Sequence, residues 1–168
     1  KKIIKTNTNT YGVRFFSLPF PNYYLSLKKP VAYLEQSDNQ IFLATGNGVF
    51  FSFNVNMIAQ FMINQTLDSN INKLKLNRIE SNIRDIIHDK KLLSPGMVSI
   101  RDLLIFNDQI FVSYTKEISN NCYNTSIIKS NLSLTFLNFI EFFSYEECHL
   151  INDTDNAGSG GRMVAYQD

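Results

Sequence analysis

The sequence predicts an all-β fold, and three observations support that prediction. Short β-prone runs recur at close spacing and are joined by Gly- and Asn-rich turns. One hairpin is especially clear, because Gln40–Thr45 and Val49–Phe53 flank the turn Gly46-Asn47-Gly48. The order of hairpin, linker, four strands, Gly-rich loop and new strand favours a β-propeller, in which one blade takes about 40–50 residues. Short strands with such turns are also typical of a sandwich.

The composition limits the class of protein. The chain of 168 residues has the length of one domain, and an apolar fraction of 44% excludes a disordered chain. A net charge of +1 gives no indication of a nucleic-acid partner or an anionic membrane surface. No stretch approaches the roughly 20 apolar residues that a membrane helix needs.

The first half of the chain predicts few regular elements outside the hairpin. Residues 1–27 contain Pro19 and Pro21 and are expected to be extended, with an edge strand at most. Residues 31–35 predict a short strand. Residues 56–67 have apolar side chains at helical spacing and are compatible with a short amphipathic helix. Residues 83–87 fit either a strand end or a helical turn.

The second half predicts four strands in succession. They are Ile100–Phe106, Ile110–Thr115, Ser126–Ser130 and, with a bulge, Leu134–Phe143. Residues 117–121 and 145–157 are expected to be loops.

A glycine-rich segment precedes the last predicted strand. Gly158-Ser159-Gly160-Gly161 marks a place where main chain must approach another group, and Met163–Tyr166 is apolar and β-prone. A strand needs a partner, and nothing follows Asp168 to provide one. We therefore interpret residues 1–168 as one partial domain, truncated at the C-terminus and at the N-terminus, with about two to three blades of a probable six-bladed propeller.

The cysteines leave two alternatives open. Cys122 and Cys148 could form one disulfide in an oxidising compartment or remain two buried thiols. Their spacing, together with His88 and His149, does not correspond to a metal site.

A family resemblance covers residues 99–166. The chain resembles the soluble glucose/sorbosone dehydrogenase family, whose members are six-bladed propellers. The matching segments are Ile100–Ile105, Ile110–Tyr114, Asn124–Ile128, Leu137–Ile140 and Gly160–Val164.

The resemblance implies oxidation of a sugar hydroxyl by pyrroloquinoline quinone (PQQ), with calcium nearby, in a periplasmic or secreted protein. The family's catalytic histidine precedes the arginine of the Gly-Arg strand by three or four residues. This chain has Gly158 or Ser159 there, so no catalytic residue is assigned. Glycine has no titratable group, and a serine hydroxyl needs an activating partner.

Arg162 and Ser159 are the candidate cofactor-binding residues. The fork of donors on Arg162 could bind a quinone carboxylate, although a structural arginine is the commoner case. Backbone N–H groups of residues 158–161 could line a ligand pocket, but a tight strand connection explains the glycines equally simply.

Other candidates are weaker. Arg101 and Asp102 are adjacent in a strand, so only one is expected to face a central channel, and Asp102 is expected to have a structural role, such as accepting the N–H groups of a turn. His149 is expected to be a solvated loop residue, and a dyad of His88 with Asp89 is discounted. The aromatic cluster Phe136, Phe139, Phe142 and Phe143 is expected to be core rather than a sugar-stacking surface.

Two functions therefore remain open from the sequence. The first is a fragment of a PQQ-dependent sugar dehydrogenase. The second is a non-catalytic propeller that binds a carbohydrate or a protein partner. A third possibility is a bacterial surface or structural β domain that binds no ligand.

Overall fold

The computed structural model describes residues 2–13, 32–58, 76–87, 99–120, 122–150 and 161–166. They form twelve strands, arranged as one two-stranded sheet and two larger sheets. The predicted all-β class is confirmed. The described strands do not form a closed sheet, and the predicted propeller stays a prediction.

The N-terminal strands form a small antiparallel hairpin, with β1 at Lys2–Lys5 and β2 at Thr10–Val13. Its turn is fixed by Thr6, whose hydroxyl accepts the Asn9 N–H at 3.0 Å. The sequence prediction of one edge strand at most was wrong, because this polar Asn-Thr turn signal was not recognised. Pro19 and Pro21 lie outside the described residues.

The first large sheet is an antiparallel meander, and its strands are β3 (Ala32–Ser37), β4 (Gln40–Thr45), β5 (Phe50–Asn54) and β6 (Asn77–Ser81). The predicted hairpin is confirmed as β4 and β5. Its turn needs a positive φ at Gly48, which has φ 78°.

Two short helical segments are described. Residues 55–58 are helical, and the rest of the predicted helix lies outside the described residues. Residues 83–87, for which the sequence allowed a strand end or a helical turn, form a helical turn at Ile83–Ile86, with Ile83 and Ile87 buried. No helix in the described ranges has the length and apolarity to cross a lipid bilayer.

The second large sheet is also a meander, and its strands are β7 (Ile100–Phe106), β8 (Gln109–Ser119), β9 (Cys122–Asn131) and β11 (Ile140–Ser144), with β12 (His149–Leu150) paired to β9. β7 matches its predicted bounds. The β7–β8 turn places Asn107 and Asp108 at φ 49° and 55°, as a tight hairpin turn requires.

Two loop predictions in this half were wrong. Residues 117–119 continue β8, because the β8–β9 ladder absorbs an irregularity there and goes on to pair Ser119 with Cys122. Residues 149–150 form β12, which was expected to be part of a loop. The predicted turn at residues 94–96 lies outside the described residues.

The predicted strand Leu134–Phe143 divides between the two sheets. Phe136–Leu137 forms β10, which runs parallel to β6 in the first sheet, and the chain then returns to the second sheet as β11. The predicted bulge is present between Glu141 and Phe143. The division occurs because Asn82 binds the chain at residues 138–139, between the two strands.

One apolar core lies between the two large sheets. Phe50 of β5 and Phe139 pack with ring centroids 5.3 Å apart, and residues from both sheets join the same cluster. Gly46 in the β4–β5 turn accepts the N–H groups of Ser99 and Ile100 at 2.9 and 3.1 Å, which fixes the start of β7. As a result, β3 and β7, the first strands of the two meanders, lie against each other.

A disulfide joins Cys122 on β9 to Cys148 just before β12, so the first of the two cysteine alternatives is the one observed. The segment just before β12 is also held by Asn124, a buried residue on β9. Its side-chain amide donates to the carbonyl groups of Tyr145 and Glu147.

We expect Asn82→Ala to lower the free energy of unfolding by about 1–3 kcal/mol, because it leaves backbone groups between the sheets unpaired. Asn82 Oδ1 accepts the Phe139 N–H at 2.7 Å, and its Nδ2 donates to the Phe139 carbonyl at 3.0 Å. Urea unfolding measures the change. The control is Asn131→Ala, an exposed residue at the end of β9, for which we expect less than about 0.5 kcal/mol. Equal losses in the two variants would contradict this role for Asn82.

Candidate functional site

The candidate site begins at a β-bulge near the start of β7. Ile100 is opposite Tyr114 and Asp102 is opposite Ser113, so Arg101 is the extra residue. A bulge bends its strand and turns side chains in new directions, and bulges are frequent beside active sites. The rule that neighbouring strand residues face opposite sides therefore does not apply here. The expectation that only one of Arg101 and Asp102 faces a central channel stays a prediction.

The C-terminal segment Gly161-Arg162-Met163 lies directly against this bulge. The Ser113 hydroxyl donates to the Gly161 carbonyl at 2.5 Å, and Asp102 Oδ2 accepts the Met163 N–H at 2.6 Å. Asp102 thus has the expected structural role, but the N–H group that it accepts belongs to an irregular segment rather than to a turn. These two bonds hold the residues on either side of Arg162.

Gly161 is the close-approach position that the glycine-rich sequence predicted. Its φ is 136°, and a Cβ there would lie 2.7 Å from the Cβ of Arg101. A side chain is therefore excluded by both conformation and space. The other glycines of the segment, and Ser159 with them, lie outside the described residues.

The predicted strand Met163–Tyr166 is not a strand. Residues 161–166 have no ladder partner among the described strands, and Val164 and Tyr166 are 81% and 85% exposed. The sequence pattern was misleading because the segment is held by the side chains of Ser113 and Asp102 rather than by backbone pairing.

We call the place where β3, β7 and the C-terminal segment meet the junction. β3 contributes two side chains to it, Tyr33 and Glu35, which share one face of the strand and are half-buried. Burial raises the pKa of Tyr33, with Arg101 lowering it and Asp102 raising it to smaller extents. Burial also raises the pKa of Glu35, and the nearby Asp102 adds to the rise. A hydrogen bond from the Gln36 backbone and the charge of Arg162 oppose it. β3 contacts β7, and the C-terminal segment is bonded to Asp102 of β7, so these three parts of the chain meet at one place.

The guanidinium group of Arg101 is half-buried, and its burial lowers the pKa against a smaller opposing effect of Tyr33. Its Nε donates to Thr115 Oγ1 at 2.9 Å. Within the described ranges, no carboxylate lies within ion-pair distance of Arg101 or of the exposed Arg162. Among the described residues, the remaining N–H donors of these two guanidinium groups therefore have no carboxylate partner.

The residues present fit the carboxylate end of an anionic quinone, because the planar fork of a guanidinium matches a carboxylate. The described residues at the junction do not provide a set of ligands for calcium. Among the described residues, no group of three or more His, Cys, Asp or Glu side chains is gathered to hold a metal ion.

The remaining candidates lie away from the junction. His149 is exposed, as expected for a solvated histidine, although it lies on β12 rather than in a loop. His88 and Asp89 lie outside the described residues. Of the four clustered phenylalanines, Phe139 is core at 1% exposure, whereas Phe136, Phe142 and Phe143 are about half exposed, contrary to expectation.

The sequence missed Tyr33 and Glu35 as site residues. In the sequence their strand is only an apolar run. Their role depends on the contact of β3 with β7, which cannot be inferred from a local sequence pattern. Arg101 was considered, but the bulge that directs it was not visible in the sequence.

We expect Gly161→Ala to loosen the C-terminal segment. An unfavourable φ costs about 1–3 kcal/mol, which corresponds to roughly 5- to 150-fold in an opening equilibrium. Hydrogen exchange of the Met163 amide measures it, because that N–H is protected by Asp102. The control is Val164→Ala in the same segment, where an exposed side chain is shortened. Unchanged exchange in Gly161→Ala would contradict the described docking.

Comparison with known proteins identified no relative of the chain. No family model matches the chain, and no curated protein and no solved structure matches it significantly.

Proposed function

We propose that the chain is part of a quinone-dependent, sugar dehydrogenase-like β-propeller. The architecture supports this proposal in one respect. Each large sheet contains four antiparallel strands, β3 to β6 in the first and β7, β8, β9 and β11 in the second, and the first strands of the two sets, β3 and β7, lie against each other. The first sheet also gains β10, which is parallel to β6 and precedes β11 in the chain. Four-stranded sheets arranged around a central axis are the building units of propellers.

The observation that carries the functional proposal is the placement of Arg162. The Gly-Gly-Arg segment on which the family resemblance depends is bonded to Ser113 of β8 before Arg162 and to Asp102 of β7 after it, next to a second arginine. Arg162 would hold a carboxylate of PQQ, and Ser159 is the second proposed cofactor contact. When bound, such a quinone accepts the hydride of a sugar carbon that is being oxidised.

The positions of the family's catalytic histidine carry no catalytic base in this chain. Gly158 and Ser159 occupy the positions of the family's histidine, and neither side chain is a competent base on its own. This observation favours the second candidate function, a non-catalytic propeller that binds a carbohydrate or a protein partner. Calcium, if the protein uses it, would be held by residues other than those described at the junction.

We also propose that the protein is periplasmic or secreted. The disulfide between Cys122 and Cys148 supports this location, because disulfides persist in oxidising compartments and are rare in the cytosol.

Quinone binding by the intact protein tests the proposed function. We expect PQQ to bind and Arg162→Met to weaken the binding about tenfold or more, because hydrogen bonds to charged groups contribute about 1.5–3 kcal/mol. Arg84→Met, an exposed arginine in the helical turn, is the matched control and should bind as the unaltered protein does. Absence of quinone binding would remove the family's chemistry.

Dye reduction separates the two candidate functions. The intact protein is assayed with PQQ, calcium and a dye acceptor over a panel of sugars. Reduction of the dye supports a dehydrogenase. Quinone binding without dye reduction on any sugar supports the non-catalytic alternative.

A further inference from the structure

We propose that Arg101 and Arg162 together form a binding site for a ligand that carries at least two carboxylates, at the junction of β3, β7 and the C-terminal segment. The inference deepens the proposed function and rests on it in part, because PQQ is an anion of this class. It assigns the main anchoring role to Arg101, which the family resemblance did not single out.

The first argument is the incomplete pairing of Arg101. A guanidinium presents five N–H donors, and taking a charge out of water is costly unless it is paired or hydrogen-bonded. Among the described residues, Thr115 Oγ1 accepts from Nε and no carboxylate pairs with the group. The bulge that carries Arg101 interrupts the β7–β8 ladder, so the position is maintained at a cost.

The second argument is that the fold brings a second arginine to the first. Arg162 lies between two residues that are bonded to the bulge, Gly161 through Ser113 and Met163 through Asp102. The absence of a side chain at Gly161 allows its backbone to lie against the Cβ of Arg101.

The third argument concerns the other polar groups at the junction. Asp102 accepts the Met163 N–H through Oδ2 and keeps Oδ1 as an acceptor. Glu35 is half-buried, and burial raises its pKa. Tyr33 lies on the facing strand near Arg101 and Asp102, and its phenol keeps a proton that it can donate. The junction is therefore richer in donors than in free acceptors.

The ligand class follows from this donor set. A guanidinium binds a carboxylate through two parallel hydrogen bonds, so two guanidinium groups favour two carboxylates on one rigid ligand. An aromatic polycarboxylate satisfies this requirement, with or without a quinone.

Calorimetric titration of the intact protein with two probes tests the inference. The probes are PQQ and trimellitate, a benzene tricarboxylate that has no quinone. We expect Arg101→Gln to weaken binding of both probes about tenfold or more. Arg101→Lys should weaken it less, because it keeps the charge and loses the fork. The control is Arg78→Gln, an exposed arginine on β6 that pairs with Glu80, and it should change neither affinity.

The outcomes separate this inference from the proposed function. If trimellitate binds through Arg101 and PQQ does not bind, the carboxylate site is supported and the quinone function is wrong. If PQQ binds equally well to Arg101→Gln and to the unaltered protein, the inference is wrong while the quinone function stands. If neither probe binds, the inference is wrong. Near-ultraviolet circular dichroism identifies a misfolded Arg101→Gln, in which case Arg101→Lys decides, and full affinity in that variant overturns the role of the fork.

Discussion

Phe50→Ala is expected to lower the free energy of unfolding by about 3–5 kcal/mol, which is the usual cost of removing a buried phenylalanine. Phe50 is 2% exposed and lies on β5, opposite Ile79 of β6. Its ring packs against Phe139, whose exposure is 1% and which lies on the segment that leads into β11 of the second sheet. The substitution opens a cavity where the two sheets meet, so both sheets lose contacts.

Urea unfolding, followed by far-ultraviolet circular dichroism, measures this loss of stability. The matched control is Phe136→Ala, because Phe136 lies on β10 close in sequence to Phe139 but is 49% exposed. We expect the control to lose about 1 kcal/mol or less. Similar losses in both variants would mean that Phe50 and Phe139 do not form the contact between the sheets.

Removal of the disulfide is expected to cost about 3–4 kcal/mol. The bond joins cysteines 26 residues apart, and the loop entropy that it removes from the unfolded chain corresponds to about this value. The closed loop contains all of β11, so its loss also frees the outer strand of the second sheet to separate.

Comparison of the unaltered protein with a double variant, Cys122→Ser with Cys148→Ser, measures this cost. A reducing agent should lower the stability of the unaltered protein to that of the double variant and leave the double variant unchanged. Free thiols in the unreduced protein, or equal stability of the two proteins without reductant, would contradict the disulfide.

Local sequence pattern was sufficient for the strands whose partners are also their neighbours in sequence. β4 and β5 were predicted because β-prone runs flank a Gly-Asn-Gly turn, and β7 because an apolar run ends at Asn107-Asp108. Turn chemistry and strand propensity act over a few residues, so a single sequence contains them.

The errors arose where distant residues decide the structure. Leu134–Phe143 reads as one strand, but the side chain of Asn82 fixes the backbone at Phe139 and divides the run between two sheets. Met163–Tyr166 reads as a strand, but side chains of the second sheet hold its first residue and take the place of a ladder. Partners of this kind, about 60 residues away, leave no periodic signal.

The candidate site was predictable only in part for the same reason. Arg162 was identified from the Gly-Gly-Arg segment, and Arg101 with Asp102 from their adjacency in a strand. Their convergence depends on the bulge at Arg101 and on the close approach of Gly161, both of which are properties of the assembled sheets. Glu35 and Tyr33 gain their significance in the same way, from the contact of β3 with β7.

A crystal structure of the intact protein grown with PQQ tests the account most directly. The account predicts sheets arranged around an axis with β3 and β7 innermost, and quinone carboxylates bound by the guanidinium groups of Arg101 and Arg162. A closed two-sheet sandwich, or a quinone bound away from both arginines, would contradict it.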